Sequence, residues 1–359
     1  MRNITAVYVK GNANSFEKNV PLEFIGQRNV NLGFSNDIDI LFLEGFELLD
    51  DAYKSTLKEL GYKLHDVRKI YSEIFKDHTT LRRFSDFNQK CFLRWPVINK
   101  FYSGENIIHY DADIVFNEDP IKLGALLDKK TFVLQGCPAL TCISDANWHL
   151  QYEKNLKVYS SDIDKYSQKA WVERKDWEFS EINKWAGQRN KKLISSDQDL
   201  ISHLIHTDRL PQDNPIDILN CMKDYMLIEN PLYIHAFSPW CDQAPFEYKR
   251  VSNIDFINNK KVAFWHMQSD FINYLIKYSN SDNLIKLLGI RLPNDLEYGN
   301  ILTPQSFNHP NINSNKLKEI NDKLLNISFR VINKTMNTKN RLDMYRYFFE
   351  KHDFGSILN

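Results

Sequence analysis

Residues 106–116 read Asn-Ile-Ile-His-Tyr-Asp-Ala-Asp-Ile-Val-Phe, which places Asp111 and Asp113 directly between two apolar runs. We expect the first run, 107–110, to form a short apolar strand. In an open α/β sheet a ligand crevice opens where a strand ends. Two carboxylates spaced i and i+2 at such an end can bind a divalent cation through oxygen. The alternative is a turn between hairpin strands with both carboxylates solvated.

The D-x-D pattern alone has little value, because it occurs four times in the chain. The other three pairs are Asp37/Asp39, Asp162/Asp164 and Asp197/Asp199. Context separates them, since only Asp111 and Asp113 lie directly between two apolar runs. A buried acidic pair has no evident structural use, because taking carboxylates out of water is costly. The pattern therefore favours a cation site at Asp111 and Asp113.

Strands and helices are expected to alternate over roughly the first 290 residues, which indicates a mixed α/β sheet with helices on both faces. The predicted strands are 5–9, 39–43, 107–110, 131–134 and 261–265, and the predicted helices are 46–60, 85–95, 165–190 and the one after 199. Residues 301–315 are rich in Asn, Ser and Pro and predict a linker. Apolar residues at alternating spacings of three and four then predict an amphipathic helix over 317–331, and 342–349 predicts a second. The expected domains are 1–300 and a helical C-terminal extension, 301–359.

Composition excludes several classes of protein. Forty-six basic and 46 acidic residues give a formal net charge of zero, so binding to nucleic acid through clustered positive charge is not expected. Neither G-x-G-x-x-G nor G-x-x-x-x-G-K-[ST] is present, which excludes the usual dinucleotide and P-loop sites. Five scattered cysteines without C-x-x-C indicate a reducing compartment. We expect a cytoplasmic protein, with peripheral attachment to the inner face of the membrane as the alternative.

The segment 106–116 resembles the D-x-D segment of GT-A glycosyltransferases, with the greatest similarity to the glycogenin and bacterial lipopolysaccharide galactosyltransferase-like group. Three further segments resemble that group in the expected order: Asp-Phe-Asn-Gln-Lys-Cys-Phe-Leu-Arg-Trp at 86–95, Ser-Asp-Gln-Asp-Leu at 196–200 and Val-Ala-Phe-Trp-His at 262–266. The resemblance spans roughly residues 4–270. It departs after His266, where that group has Gly and a Lys-Pro-Trp-like segment and this sequence has Met-Gln-Ser-Asp.

The resemblance implies a GT-A fold, with a mostly parallel sheet, and a nucleotide-sugar donor, which is expected to be a UDP-sugar. It implies transfer to a hydroxyl of a glycan or glycoconjugate, in the setting of surface-polysaccharide biosynthesis. The implied donor-binding residues are Tyr8, Val9, Arg83, Asp86, Lys90, Asp111 and Gly136. The implied ligands of Mn²⁺ or Mg²⁺ are Asp111, Asp113 and His266. The implied catalytic residues are Asp197, Gln198 and Asp199.

Each role has a structural alternative. Asp197 at a helix start is also a natural N-cap. Lys90 and Arg83, expected at the donor diphosphate, can equally be solvated surface cations. His266 can be a satisfied structural histidine, and His235 competes with it as ligand. Three tryptophans are more simply core or surface residues than an acceptor cleft: Trp171, Trp177 and Trp185.

The stereochemistry stays open, because a carboxylate near such a helix start also serves as general base in inverting enzymes, although the D-Q-D resemblance favours retention.

Two rival functions remain. A haloacid-dehalogenase-type phosphatase also has D-x-D after a strand, but its motif normally lies near the chain start and a late paired-Asp motif completes it. A non-catalytic binding protein on the same fold is the second rival. For the C-terminal stripe at 317–331, docking on the catalytic domain or a homodimer is favoured over a membrane face, because its polar positions are mixed in sign.

Overall fold

The computed structural model describes residues 1–134, 138–173, 194–228, 248–257, 259–267, 341–346 and 349–350. Several predictions lie outside these ranges: Gly136, Trp177, Trp185, His235, the linker and the amphipathic helix 317–331. The homodimer and the domain boundary at residue 300 therefore stay predictions. The chain divides into two compact units. The first contains residues 1–13, 36–112 and 120–221, and the second contains 14–35, 113–119 and 222–359.

The first unit is built on a six-stranded sheet in the order β3-β2-β1-β4-β7-β6. Its strands are β1 Arg2–Tyr8, β2 Asp39–Glu44, β3 Lys63–Asp66, β4 Ile107–Tyr110, β6 Phe132–Val133 and β7 Leu140–Ile143. Strands β3, β2, β1 and β4 run parallel, with Ile4 opposite Asp39 and Ile4 also opposite His109. Strand β7 is antiparallel to both β4 and β6. The prediction of a mixed, mostly parallel sheet flanked by helices is confirmed, and the arrangement is consistent with a GT-A fold.

The helices of the first unit are α3 Asp51–Glu59, α4 Arg68–Asp77, α5 Asp86–Tyr102, α6 Pro120–Leu126, α7 Asn147–Ser161, α8 Ile163–Glu173, α9 Asp197–His206 and α10 Pro215–Cys221. Helix α5 is longer than the predicted 85–95. It begins at the N-cap Ser85, whose hydroxyl accepts from the Asn88 N–H, and it continues through Pro96 because the whole segment 92–98 is buried. Burial of this apolar run outweighs the helix-breaking tendency of proline.

The predicted helix 46–60 is wrong in its first turn. Residues Phe46–Leu48 form a short 3₁₀ turn, and α3 begins only after Asp50. The Asp50 carboxylate accepts from the Tyr53 N–H and caps α3. The apolar spacing predicts one helix over 46–60, but the cap at Asp50 starts a new helix and so separates residues 46–48 from α3.

The core of the first unit is aromatic. Trp95 of α5 and Trp148 of α7 contact with ring centroids 5.2 Å apart, and Trp148 stacks on Tyr152 at 5.4 Å. All three rings are fully buried. This cluster fixes the middle of α5 against α7 and so fixes the position of the residue beside Trp95, Arg94.

The second unit contains strands β5 Ile114–Phe116, β8 Tyr225–Ile228, β9 Tyr248–Val251, β10 Ile254–Ile257 and β11 Lys260–His266. Strands β5, β11, β10 and β9 pair antiparallel in that order, and β8 pairs parallel with β11. Helices α1 Ala13–Asn19, α2 Leu22–Asn31 and α11 Arg341–Arg346 complete the description. Helix α11 overlaps the second helix predicted for the C-terminal extension, 342–349. None of the described helices combines the length and apolarity needed to cross a membrane.

Candidate active site

The first unit brings together two carboxylates that lie far apart in the sequence. The guanidinium of Arg94 contacts Asp111 Oδ1 at 2.6 Å through NH1 and Asp197 Oδ2 at 2.8 Å through NH2. Its Nε–H donates to the same Asp197 oxygen at 3.0 Å, and the Trp95 indole N–H donates to it at 2.9 Å. The first Asp of D-x-D and the first Asp of D-Q-D thus share one arginine.

The strand end and the helix start explain this meeting. Asp111 follows β4, and its N–H donates to the Ala139 carbonyl at 2.9 Å, next to β7. Asp197 is the first residue of α9. Arg94 lies one residue before the buried Trp95 on α5, so its side chain reaches both carboxylates from a fixed backbone. Only Asp111 of the three keeps substantial solvent access, at 25% of its side chain.

Capping of α9 corrects one expectation from the sequence. The N-cap is Ser196 and not Asp197, because the Ser196 hydroxyl accepts from the Asp199 N–H. Asp199 completes a capping box, since its Oδ2 accepts from the N–H groups of Ser195 and Ser196 at 2.8 and 3.2 Å. The Asp197 side chain therefore does not cap the helix, and it pairs with Arg94 instead. The catalytic roles predicted for Gln198 and Asp199 stay predictions.

Charge holds this network together although it is buried. Burial alone would lower the pKa of Arg94, but the negative charges of Asp197 and Asp111 raise that pKa well above its ordinary value. Burial, together with the positive charge of the same arginine, holds the pKa of His109 well below its ordinary value, so His109 is neutral. His109 Nδ1 lies 3.3 Å from the Pro138 carbonyl, which favours the tautomer that donates from Nδ1.

A second cluster of charged groups lies at the end of β1. Lys90 is buried and contacts Asp86 and Glu44, the latter at 2.7 Å, while Lys10 contacts Asp86 at 2.7 Å. Lys90 Nζ also lies 4.9 Å from the centre of the Tyr8 ring. Burial would raise the pKa of Asp86, but hydrogen bonds from Lys10 and Lys90 outweigh it and lower that pKa. The cluster has two positive and two negative charges, so it is close to neutral.

The backbone beside this cluster is equally constrained. The Val9 N–H donates to the Glu44 carbonyl at 3.0 Å. Gly45 follows with a φ of +76°, and a Cβ built there would lie 2.3 Å from the Val9 carbonyl oxygen. Only glycine allows this approach of the two strand ends.

The second unit joins Asp113 to His266. Strand β11 runs antiparallel to β5, with His266 opposite Ile114, and His266 Nε2 lies 3.2 Å from Asp113 Oδ1. Both side chains are buried. Burial would raise the pKa of Asp113, but His266 and Arg341 outweigh it and hold that pKa well below its usual range. Only Ala112 separates Asp113 from Asp111, so the two carboxylates are close neighbours along the chain.

Among the described residues, Arg83 contacts neither the Arg94 network nor the cluster around Lys90. It pairs with Asp164 at 3.0 Å, and both side chains are exposed. Its predicted role at the donor stays a prediction. The residue that the sequence reading missed is Arg94. Its signal was a single charge inside the otherwise apolar run Phe-Leu-Arg-Trp-Pro-Val-Ile at 92–98.

No protein-family model matches the chain, and no curated protein matches it. Among solved structures, the chain is similar to the apo crystal structure of mouse xyloside xylosyltransferase 1, with a TM-score of 0.43 and 10% sequence identity. The similarity covers 75% of this chain and 98% of that chain. A likeness at this level assigns no activity.

Proposed function

We propose that the chain is a metal-dependent glycosyltransferase that moves a sugar from a nucleotide-sugar donor to a hydroxyl of a glycan or glycoconjugate. The single observation that carries the proposal is the Arg94 contact to both Asp111 and Asp197. The sequence motifs that resemble the GT-A pattern supply these two carboxylates independently. A fold that merely retained the motifs as surface turns would have no reason to join them on one buried arginine.

The nucleoside end of the donor, which we propose to be a UDP-sugar, is assigned to the end of β1. Tyr8 offers an aromatic face there, and Val9 offers backbone groups beside Gly45. The salt-bridged cluster of Lys10, Lys90, Asp86 and Glu44 is close to neutral, which suits an uncharged nucleoside better than a diphosphate. Lys90 is thereby proposed to support the donor site through Asp86 and Glu44 rather than by direct contact with phosphate.

The donor diphosphate then needs another source of positive charge. Asp111, Asp113 and His266 each offer one ligand atom of the kind that holds a divalent cation. The donor set fits such an ion, because Asp113 Oδ1 and His266 Nε2 are buried and 3.2 Å apart, as two neighbouring ligands at about 2.0–2.2 Å from one ion would be. An imidazole nitrogen beside carboxylates favours Mn²⁺ over Mg²⁺. When bound, the cation would act as a Lewis acid toward the diphosphate leaving group.

Asp197 and Gln198 are proposed to face the donor sugar. Asp197 Oδ2 is occupied by Arg94 and Trp95, and its Oδ1 accepts from the Gln198 N–H at 2.9 Å. A carboxylate held this firmly is suited to orienting sugar hydroxyls, which favours retention of the anomeric configuration. Proton NMR of the early product tests this assignment. An inverted linkage would make Asp197 or Asp199 the candidate general base.

The central experiment measures hydrolysis and transfer with a panel of nucleotide sugars in Mn²⁺, alongside a panel of phosphate esters. Asp113→Ala should lower turnover by at least about 10²–10³-fold, since it removes charge stabilisation of the leaving group. Asp164→Ala is the matched control, because Asp164 is the second Asp of an exposed D-x-D triplet paired with Arg83. Activity that survives Asp113→Ala, or survives EDTA, would refute the metal site. Hydrolysis of phosphate esters alone would establish the phosphatase instead.

A further inference from the structure

The described part of the C-terminal extension makes two contacts with a single residue of the D-x-D segment. Arg341 NH1 donates to Asp113 Oδ2 at 2.9 Å, and the Tyr345 hydroxyl donates to the Asp113 backbone carbonyl at 3.2 Å. All three residues belong to the second unit. The extension therefore contacts the residue that is proposed to ligate the cation.

The two contacts arise from one face of α11. Arg341 and Tyr345 are four residues apart, so their side chains lie one above the other on the helix. Tyr345 is fully buried, and the edge of its ring meets Phe24 of α2 with centroids 6.2 Å apart. Tyr345 therefore holds helix α11 in place, and this fixes the position from which Arg341 contacts Asp113.

The two oxygens of the Asp113 carboxylate are divided between different partners. Oδ1 lies 3.2 Å from His266 Nε2, and Oδ2 lies 2.9 Å from Arg341 NH1. The backbone of Asp113 is fixed as well, because its carbonyl also accepts from the Met267 N–H at 2.9 Å. An ion held between Oδ1 and Nε2 would leave the Arg341 contact in place. Residues that orient a ligating carboxylate from its other oxygen are a general feature of metal sites.

We propose that Arg341 is a positioning residue for the cation site, which makes the C-terminal helix α11 part of that site. The inference rests on the proposed cation ligands Asp113 and His266. Arg341 holds the Asp113 carboxylate in the orientation that presents Oδ1 beside His266 Nε2. The opposing interpretation is that Arg341 only neutralises Asp113 and competes with a cation through its positive charge. The two interpretations predict opposite changes in affinity when the guanidinium is removed.

The test measures binding of Mn²⁺ alone to the full-length chain by isothermal titration calorimetry and by electron paramagnetic resonance of the bound ion. Arg341→Ala should weaken Mn²⁺ binding about 10–100-fold, the usual effect of losing a residue that orients a ligand. Arg341→Lys should recover part of the affinity, because it keeps the charge and loses the planar fork. Arg346→Ala is the matched control, since Arg346 is an exposed arginine on the same helix, and it should bind Mn²⁺ like the parent.

Unchanged or tighter binding by Arg341→Ala would overturn the inference and assign Arg341 as a counter-charge only. If Arg341→Ala does not fold, as judged by circular dichroism, Arg341→Lys carries the test, and parent-like affinity in that variant would overturn the positioning role. A parent that binds no Mn²⁺ overturns the cation site and this inference together. A parent whose Mn²⁺ binding depends on Arg341 but which transfers no sugar sustains the inference and refutes the proposed transferase activity.

Discussion

Two buried carboxylates of the first unit, Asp39 and Asp197, show how differently the fold uses the same side chain. Asp39 opens β2 at the amino end of the parallel strands. Its Oδ2 accepts from Tyr102 at 2.8 Å and from Arg2 at 3.1 Å, and its Oδ1 lies 3.0 Å from His65 Nε2. These partners come from α5, β1 and β3. The carboxylate therefore ties together neighbouring elements of the framework.

Asp197 receives hydrogen bonds from the side chains of Arg94 and Trp95 on one oxygen only. Arg94 and Trp95 both donate to Oδ2, whereas Oδ1 accepts from the N–H of the next residue in its own helix. Arg94 then extends the network to Asp111, which is partly open to solvent. The difference separates a carboxylate whose side-chain partners belong to the framework from one whose main partner, Arg94, also contacts a carboxylate at the end of a strand. The following substitutions test that distinction.

Arg94→Ala should have the largest effect, because it acts on both carboxylates at the site. Removing one partner of a buried ion pair costs about 3–5 kcal/mol, and here two carboxylates lose their counter-charge. We expect a large fall in the melting temperature together with loss of turnover, measured by thermal unfolding and by donor hydrolysis. Arg94→Lys should fold better and remain impaired in turnover, because lysine lacks the fork that reaches both groups. Parent-like turnover in Arg94→Lys would contradict the role of Arg94 at the site.

Asp197→Asn and Asp39→Asn form a matched pair of isosteric changes. Asp197→Asn should lower turnover about 10²–10³-fold, as expected for a group that stabilises charge or orientation at a reacting centre. Asp39→Asn should lower the free energy of unfolding and leave turnover per folded molecule near that of the parent. The comparison requires both activity and denaturant unfolding for each variant. Equal losses of activity in the two variants would show that Asp197 acts through stability, as Asp39 does.

The sequence predicts the framework well where hydrophobic runs are bounded by clear signals. The short apolar strand predicted before Asp111 is found as β4, and α5 begins at the N-cap Ser85, where the predicted helix 85–95 begins. It fails where two local signals compete, as at Asp50, which starts a helix inside a longer amphipathic pattern. It also fails at Ser196, whose hydroxyl takes the capping position assigned to Asp197. One-residue choices between adjacent capping groups are decided by geometry that spacing does not reveal.

The site is harder to predict than the sheet, because its contacts join distant segments. Motif spacing selects Asp111, Asp113, Asp197 and His266, but it does not show that Asp111 and Asp197 share Arg94. Lys90 was expected to meet phosphate, and only the structure shows it to be buried between carboxylates of its own chain. Arg341 lies beyond every motif in the sequence. Long-range ion pairs of this kind have no periodicity, so nothing in the local pattern indicates them.

Tyr102→Phe tests the framework end of the comparison through its pH dependence. Burial would raise the pKa of Asp39, but hydrogen bonds from His65, Tyr102 and Arg2 outweigh it and lower that pKa. The stabilisation is therefore complete above the unfolded pKa of about 4 and is lost as the pH falls through the folded pKa. Losing the Tyr102 hydrogen bond should cost about 1.5–3 kcal/mol at pH 7. The difference in the free energy of unfolding between Tyr102→Phe and the parent should narrow below about pH 4, as measured by urea unfolding at several pH values. A difference that is independent of pH would show that Tyr102 contributes by packing alone.

Arg83→Ala should have the smallest effect and decides between two uses of an exposed arginine. Its pair with Asp164 joins two exposed side chains, and such pairs contribute about 0–1 kcal/mol, so the melting temperature should barely change. If Arg83 contacts the donor as predicted, Arg83→Ala should raise the KM for the nucleotide sugar and change kcat little. Asp164→Ala provides the control, because it breaks the same ion pair and leaves the arginine in place. If Arg83→Ala alone raises KM, the arginine leaves Asp164 to contact the donor. If both variants match the parent, Arg83 is a solvated surface cation, and the positive charge at the donor comes from the proposed cation instead.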